Sequence, residues 1–101
     1  MGASLEATGG GTLALRGVID MHAGTALRAT ARRLLASCPA TGVTLDCSGI
    51  VQSSSVGLSL LLCLQRDAQA TGKQLRIRGL PVELRQIAGV YGLLDLLPLA
   101  E

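Results

Sequence analysis

The stretch VTLDCSGIVQSSSVGLSLLLCL, Val43 to Leu64, decides the fold. Its first half alternates, with Val43, Leu45 and Cys47 against Thr44 and Asp46, the period of a strand with one buried and one wet face. Its second half is a nearly continuous apolar run that reads as a helix from about Val56 to Ala70, stopped at Thr71-Gly72-Lys73, where Gly72 suits a left-handed C-cap. The first two turns of this helix are apolar almost all round, so it needs cover on more than one side. The sheet, neighbouring helices or another protein are the three sources of that cover. Three consecutive serines, Ser53, Ser54 and Ser55, join the halves. Ser54 or Ser55 is expected to cap the helix by accepting a hydrogen bond from an orphan first-turn amide. Gly57 costs helix stability with no evident return and leaves backbone open to close approach.

Two further segments alternate in the same way: Leu13 and Leu15 against Thr12, Ala14 and Arg16, and Leu75 and Ile77 against Arg76 and Arg78. A first strand, Ser4–Thr8, is expected to pair with Thr12–Arg16 through the glycine turn. In His22–Cys38 the apolar residues Leu27, Ala31, Leu34, Leu35 and Cys38 recur at helical spacing, with Arg28, Arg32 and Arg33 mostly on the other side, and Pro39 ends the pattern. A third helix starts at Pro81 and carries Leu84, Ile87, Ala88 and Tyr91 inward. The tail LLDLLPLA reads equally as a last helical turn or a short strand. Strand, helix, strand order gives parallel neighbours by right-handed crossovers. Each strand has one apolar face, so the helices belong on that face. The fold class is α/β, a two-layer sandwich with a mixed, mostly parallel sheet and one open sheet face.

A chain of 101 residues with 49% hydrophobic content suits one domain over residues 1–101, and with 1% aromatics its core must be aliphatic. A formal charge of +2, without clustered Lys/Arg or aromatic platforms, argues against a nucleic-acid partner. The longest apolar run is about half the roughly 20 residues that span a bilayer, so no direct membrane insertion is expected. The N-terminal MGASLEATGGG lacks the charged and apolar regions of a secretory signal, and Glu6 stands where an N-myristoylation pattern needs Ser or Thr. A cytoplasmic location is therefore expected. Cys38, Cys47 and Cys63 have no paired spacing and read as buried, reduced residues. No metal or cofactor site is expected.

An enzyme would need a base for Ser55. His22 beside Asp20 is the sole candidate, no GxSxG elbow exists, and catalytic residues are therefore not assigned. The TGGGT segment lacks the Walker lysine and precedes a strand, where a phosphate loop comes after one.

In order, GVID, helix, LDCSGI, SSSVGLSLLL, helix and QLRIRGL resemble the STAS domain, from about Thr12 to Pro98. The most specific part is Leu45–Leu62. There a strand ending in Asp, a short loop and Asp-Ser/Thr-x-Gly-Leu fall on Asp46, Ser54, Ser55, Val56, Gly57 and Leu58. The resemblance makes Ser55 the counterpart of the phosphorylated residue of anti-anti-sigma factors, while Ser54 replaces the usual Asp. The ending GLPVELRQIAGVYGLLDLLP is similar to the MlaB branch of the family. That likeness implies a non-catalytic subunit at the cytoplasmic face of the inner membrane, bound to the MlaF-like ATPase of an ABC phospholipid transporter with a membrane permease, in the Mla system of outer-membrane lipid asymmetry. The alternative it implies is an anti-anti-sigma factor that binds an anti-sigma kinase and is switched at Ser55. The docking surface expected in either case combines Ser53, Ser54, Ser55, Val56, Gly57 and Leu58 with the first-helix residues Met21, Thr25, Arg28 and Arg32.

Overall fold

A computed structural model describes residues 2–99. The single domain read for residues 1–101 extends to Met1, Ala100 and Glu101, which lie outside the described residues. Strands β1 (Ala3–Gly9), β2 (Thr12–Ile19), β3 (Gly42–Ser53) and β4 (Gln74–Arg78) form one sheet in that order. β1 and β2 make the expected antiparallel hairpin, and β2–β3 and β3–β4 are parallel. Helix α1 (Met21–Ser37) connects β2 to β3, and α2 (Val56–Ala70) connects β3 to β4. The two pack on each other, α1 against β1 and β2 and α2 against β4, while α3 (Val82–Val90) touches α2. The fold is the α/β two-layer sandwich that the alternation implies.

The core is aliphatic. Leu13, Leu15, Leu45, Cys47 and Ile77 of the sheet meet Leu27, Leu35, Leu58, Leu61, Leu64 and Leu84 of the helices. On the opposite sheet face Arg16, Arg76 and Arg78 are exposed, as expected. Ala14, read as a wet-face residue, is buried, because its methyl group lies in register between the longer Glu6 and Asp46 of the adjacent strands.

Helix α2 ends as read: Gly72 has φ +75°, and the Lys73 and Gly72 amides donate to the carbonyls of Ala68 (2.8 Å) and Gln69 (3.1 Å), a Schellman closure. α3 closes in the same way at Gly92, with Leu93 N–H donating to Ala88 at 2.8 Å. That reversal corrects the reading of Tyr91. As the C-cap of α3 it is 64% exposed, and Leu93, Leu94 and Leu97 turn inward in its place. The tail is both of the expected things in succession, a 3-10 turn (Leu94–Leu96) and then a parallel bridge of Leu99 to Ile77.

β3 departs most from expectation. The alternation ends at Cys47, yet the strand runs on to Ser53 beside β2. Its register slips twice, between the pairs Ala14–Asp46 and Arg16–Gly49 and between Gly17–Ile50 and Val18–Gln52. Each bulge inserts one residue and inverts the facing of the residues after it, which erases the period-two signal. Of the cysteines, Cys47 is buried, but Cys38 and Cys63 are only half-buried, a correction to the reading of all three as core residues.

Candidate functional site

The first turn of α2 answers what the serines do. Ser54 Oγ accepts from Val56 N–H at 3.2 Å, whereas Ser55, the N-cap by position, makes no side-chain cap bond. Both are exposed. Ser53 is half-buried and donates its hydroxyl to the Ser54 carbonyl at 2.9 Å. Capping thus falls on Ser54, which leaves the Ser55 hydroxyl directed at no backbone amide of its own helix. Ser54→Ala should lower stability by about 1 kcal/mol and Ser55→Ala by a few tenths at most, read from paired thermal or urea melts. Equal losses would contradict this division of roles.

Gly57 and Leu58, expected on the docking surface, are buried and underlie it instead. A Cβ at Gly57 would collide with Ser53 Oγ, so the glycine admits the serine side chain beneath the helix. The structural return that its sequence did not disclose is this close approach.

The remaining surface residues converge. Met21, Thr25 and Arg28 of α1 face Val56 of α2 across a groove of about 300 Å³, completed by Gly24, Ser59, Leu60 and Cys63. α1 is set by Asp20, whose carboxylate accepts from Ala23 N–H at 3.0 Å. Asp20 is therefore engaged as a cap, not as an orienter of the exposed His22. A Cβ on Gly24 would stand 3.3 Å from Val56 Cγ1, so the two helix starts meet closely. Met21 is 77% exposed at the rim.

Behind the groove lies a residue that sequence reasoning missed. Asp67 of α2, 8% exposed, receives Arg28 through Nε to Oδ2 and Nη2 to Oδ1, both 3.3 Å, and Arg32 Nε lies 3.9 Å from Oδ1. The hydrogen bond to Asp67, and then its charge, raise the Arg28 guanidinium further above its usual range. A signal was present: Leu60, Leu64 and Asp67 share one helical face, and a carboxylate on an apolar stripe needs a cation. Arg32 stays largely exposed one turn from the groove.

Asp46, the strand-ending acid of the family pattern, stands apart on the open sheet face. Its Oδ1 accepts from Ser48 N–H (3.0 Å) and Ser48 Oγ (2.7 Å), and Arg78 Nη2 lies 3.4 Å from Oδ2. The Ser48 bonds, aided by Arg78, hold its carboxyl below the ordinary range. Asp46 thereby pins the first bulge of β3. Burial, and secondarily the Asp46 charge, push the neighbouring Cys47 thiol up to about 12, so it stays protonated and unreactive. Among the described residues no cluster of His, Cys, Asp or Glu is placed to hold a metal, and no helix is long and apolar enough to cross a membrane.

The family model described as Mlab, STAS domain, matches residues 4–98. No curated protein matches the chain. Among solved structures, the unphosphorylated anti-sigma factor antagonist SpoIIAA aligns over 98% of this chain and 88% of its own, at 21% identity and a TM-score of 0.72. An anti-sigma factor antagonist from Mycobacterium paratuberculosis aligns over 96% and 82%, at 22% identity and 0.75. The phosphorylated form of the Bacillus protein SpoIIAA aligns over 98% and 91%, at 22% identity and 0.66. At these identities the likeness establishes a shared fold.

Proposed function

Because the chain belongs to the Mlab-type STAS domain family, whose members are in general non-catalytic regulators, we propose that it is the docking subunit of an ABC phospholipid transporter. In this reading it binds and stabilises the transporter's ATPase, sits at the cytoplasmic face of the inner membrane through that contact, takes no cofactor and catalyses no reaction. The observation that carries the partner class is the family match over residues 4–98. The groove supports a docking role: between α1 and α2 it joins an apolar floor, a flexible exposed methionine and Arg28, whose charge is paired with Asp67. Exposed apolar clefts of this kind, rimmed by polar groups, are where partners bind.

The second reading is an anti-sigma factor antagonist switched at Ser55. The specific observation in its favour is the exposed Ser55 hydroxyl without a capping duty, in a fold shared with such an antagonist in phosphorylated form. Against it stands Ser54 in place of the acid usual in the switching relatives, already employed as the cap.

Ser55→Asp separates docking from capping. The substitution adds a carboxylate at the electropositive start of α2, where it is tolerated, so the isolated domain should melt as the wild type does. In a desolvated contact the same charge should weaken the ATPase complex by about 2 kcal/mol, roughly thirtyfold. Full binding by the folded variant, measured by titration calorimetry, would remove Ser55 from the interface.

A further inference from the structure

The positive charge of the chain is gathered on its helix layer. α1 and α2 together carry four arginines, Arg28, Arg32, Arg33 and Arg66, against one acid, Asp67. With His22 neutral that leaves three positive charges, one more than the +2 of the whole chain, so the rest of the molecule is slightly acidic. The excess is not cancelled where it stands. Asp67 gives both of its 3.3 Å contacts to Arg28 and lies 3.9 Å from Arg32, whose side chain is 65% exposed. Arg33 and Arg66 are exposed and have no acidic partner among the described residues.

Helical spacing sets two of these cations in line with the groove. On α1, Arg32 follows Met21, Thr25 and Arg28 at steps of four, three and four residues, and on α2, Arg66 follows Ser59 and Cys63 at steps of four and three. The groove is therefore apolar at the start of the two helices, and its direction leads to free guanidinium groups beyond Arg28 and Cys63. At a rise of 1.5 Å per residue, Arg66 stands about 15 Å along α2 from Val56. The fold gains nothing from the excess: Arg28 and Arg32, four residues apart, are a like-charge pair that disfavours the helix carrying them.

A partner with acids at the matching place relieves that repulsion, and guanidinium forks pair best with carboxylates. A second copy of this chain offers no such group. Among its described acids Asp20, Asp46 and Asp67 are engaged, and Glu6, Glu83 and Asp95 lie in three separate elements. We propose that the partner presents to this face an apolar side chain that fills the α1–α2 groove and, about 10–15 Å further along the helices, acidic side chains that pair with Arg32 and Arg66. That the partner is the ATPase rests on the functional reading given above, whereas its acidic chemistry rests on the charge distribution.

The test uses the full chain and the purified ATPase subunit of an MlaB-type transporter from the same organism. Wild-type affinity should fall roughly tenfold or more between about 50 mM and about 500 mM salt. At the lower salt, Arg66→Glu and the double variant Arg32→Gln with Arg66→Gln should each weaken binding roughly tenfold, mainly through slower association, with thermal melts like the wild type because both side chains are exposed. Arg76→Glu makes the same change of net charge on the open sheet face and should stay within about threefold. Equal losses for Arg66→Glu and Arg76→Glu would reduce the effect to net charge and overturn the inference, as would full binding by both helix variants. Sedimentation with phosphatidylglycerol vesicles covers a competing occupant: capture of the wild-type chain, lost in Arg66→Glu while ATPase affinity is kept, would assign the arginines to lipid and overturn it too. Failure of the wild-type chain to bind the ATPase at either salt overturns the functional reading, and this partner with it.

Discussion

Val56→Asp should leave the domain folded and reduce its affinity for the ATPase about a hundredfold or more, roughly 2.7 kcal/mol. Two effects set this result. Val56 is the first residue of α2, where a carboxylate meets the positive end of the helix and the exposed first-turn amides, so the fold tolerates it. The same side chain lines the groove with Met21, Gly24 and Leu60, and a partner seated there would strip the new charge of water with no cation placed to receive it: Arg28 is already held by Asp67. The measurement is calorimetric titration beside a thermal melt. A folded Val56→Asp protein with wild-type affinity would move the interface away from the groove.

Leu61→Ala should cost about 2–5 kcal/mol, the range for a fully enclosed leucine, and lower the melting temperature by ten degrees or more. Leu62→Ala, one position along, should cost less than half as much. Leu61 is 1% exposed between sheet and helices, whereas Leu62 lies at the periphery of the core with water on one side. Urea denaturation of the two variants measures the difference. Equal losses would mean that α2 is rotated from the orientation described.

These two variants mark where the sequence was legible. Alternation in β2, β4 and the first half of β3 disclosed both the sheet and its one-sided covering, because a half-buried strand writes its facing into every second residue. In α2 the signal failed for the opposite reason. Leu58, Leu60, Leu61 and Leu62 are all apolar, so no periodicity separated the core-facing residues from the groove wall. The family resemblance placed Leu58 at the surface, with no periodicity to oppose it, and it is found beneath. The extension of β3 was hidden by its bulges, and the role of Gly57 by a contact with Ser53, a residue in another element.

The proposed docking surface was legible in part. Met21, Thr25 and Arg28 lie about thirty residues before Val56 in the chain and meet it in one groove. The family resemblance grouped them, since spacing alone does not say which helix faces pack. Asp67 was missed because the arginines carry the more visible charge pattern, although a buried acid is the group that fixes where a partly exposed arginine can reach. The inward reading of Tyr91 assumed that helical period continued through the end of α3, where the Schellman turn sends the chain in a new direction.

In the proposed function this chain docks on an ABC ATPase and does not act on a sigma-regulating kinase. The most direct measurement titrates the purified chain against each of the two, the transporter ATPase and an anti-sigma kinase with ATP present, and tracks both binding and phosphate on Ser55. A stable complex with the ATPase, weakened by Val56→Asp, is expected, with Ser55 unmodified in both titrations. No complex with the ATPase, together with kinase-dependent phosphorylation of Ser55, would contradict it.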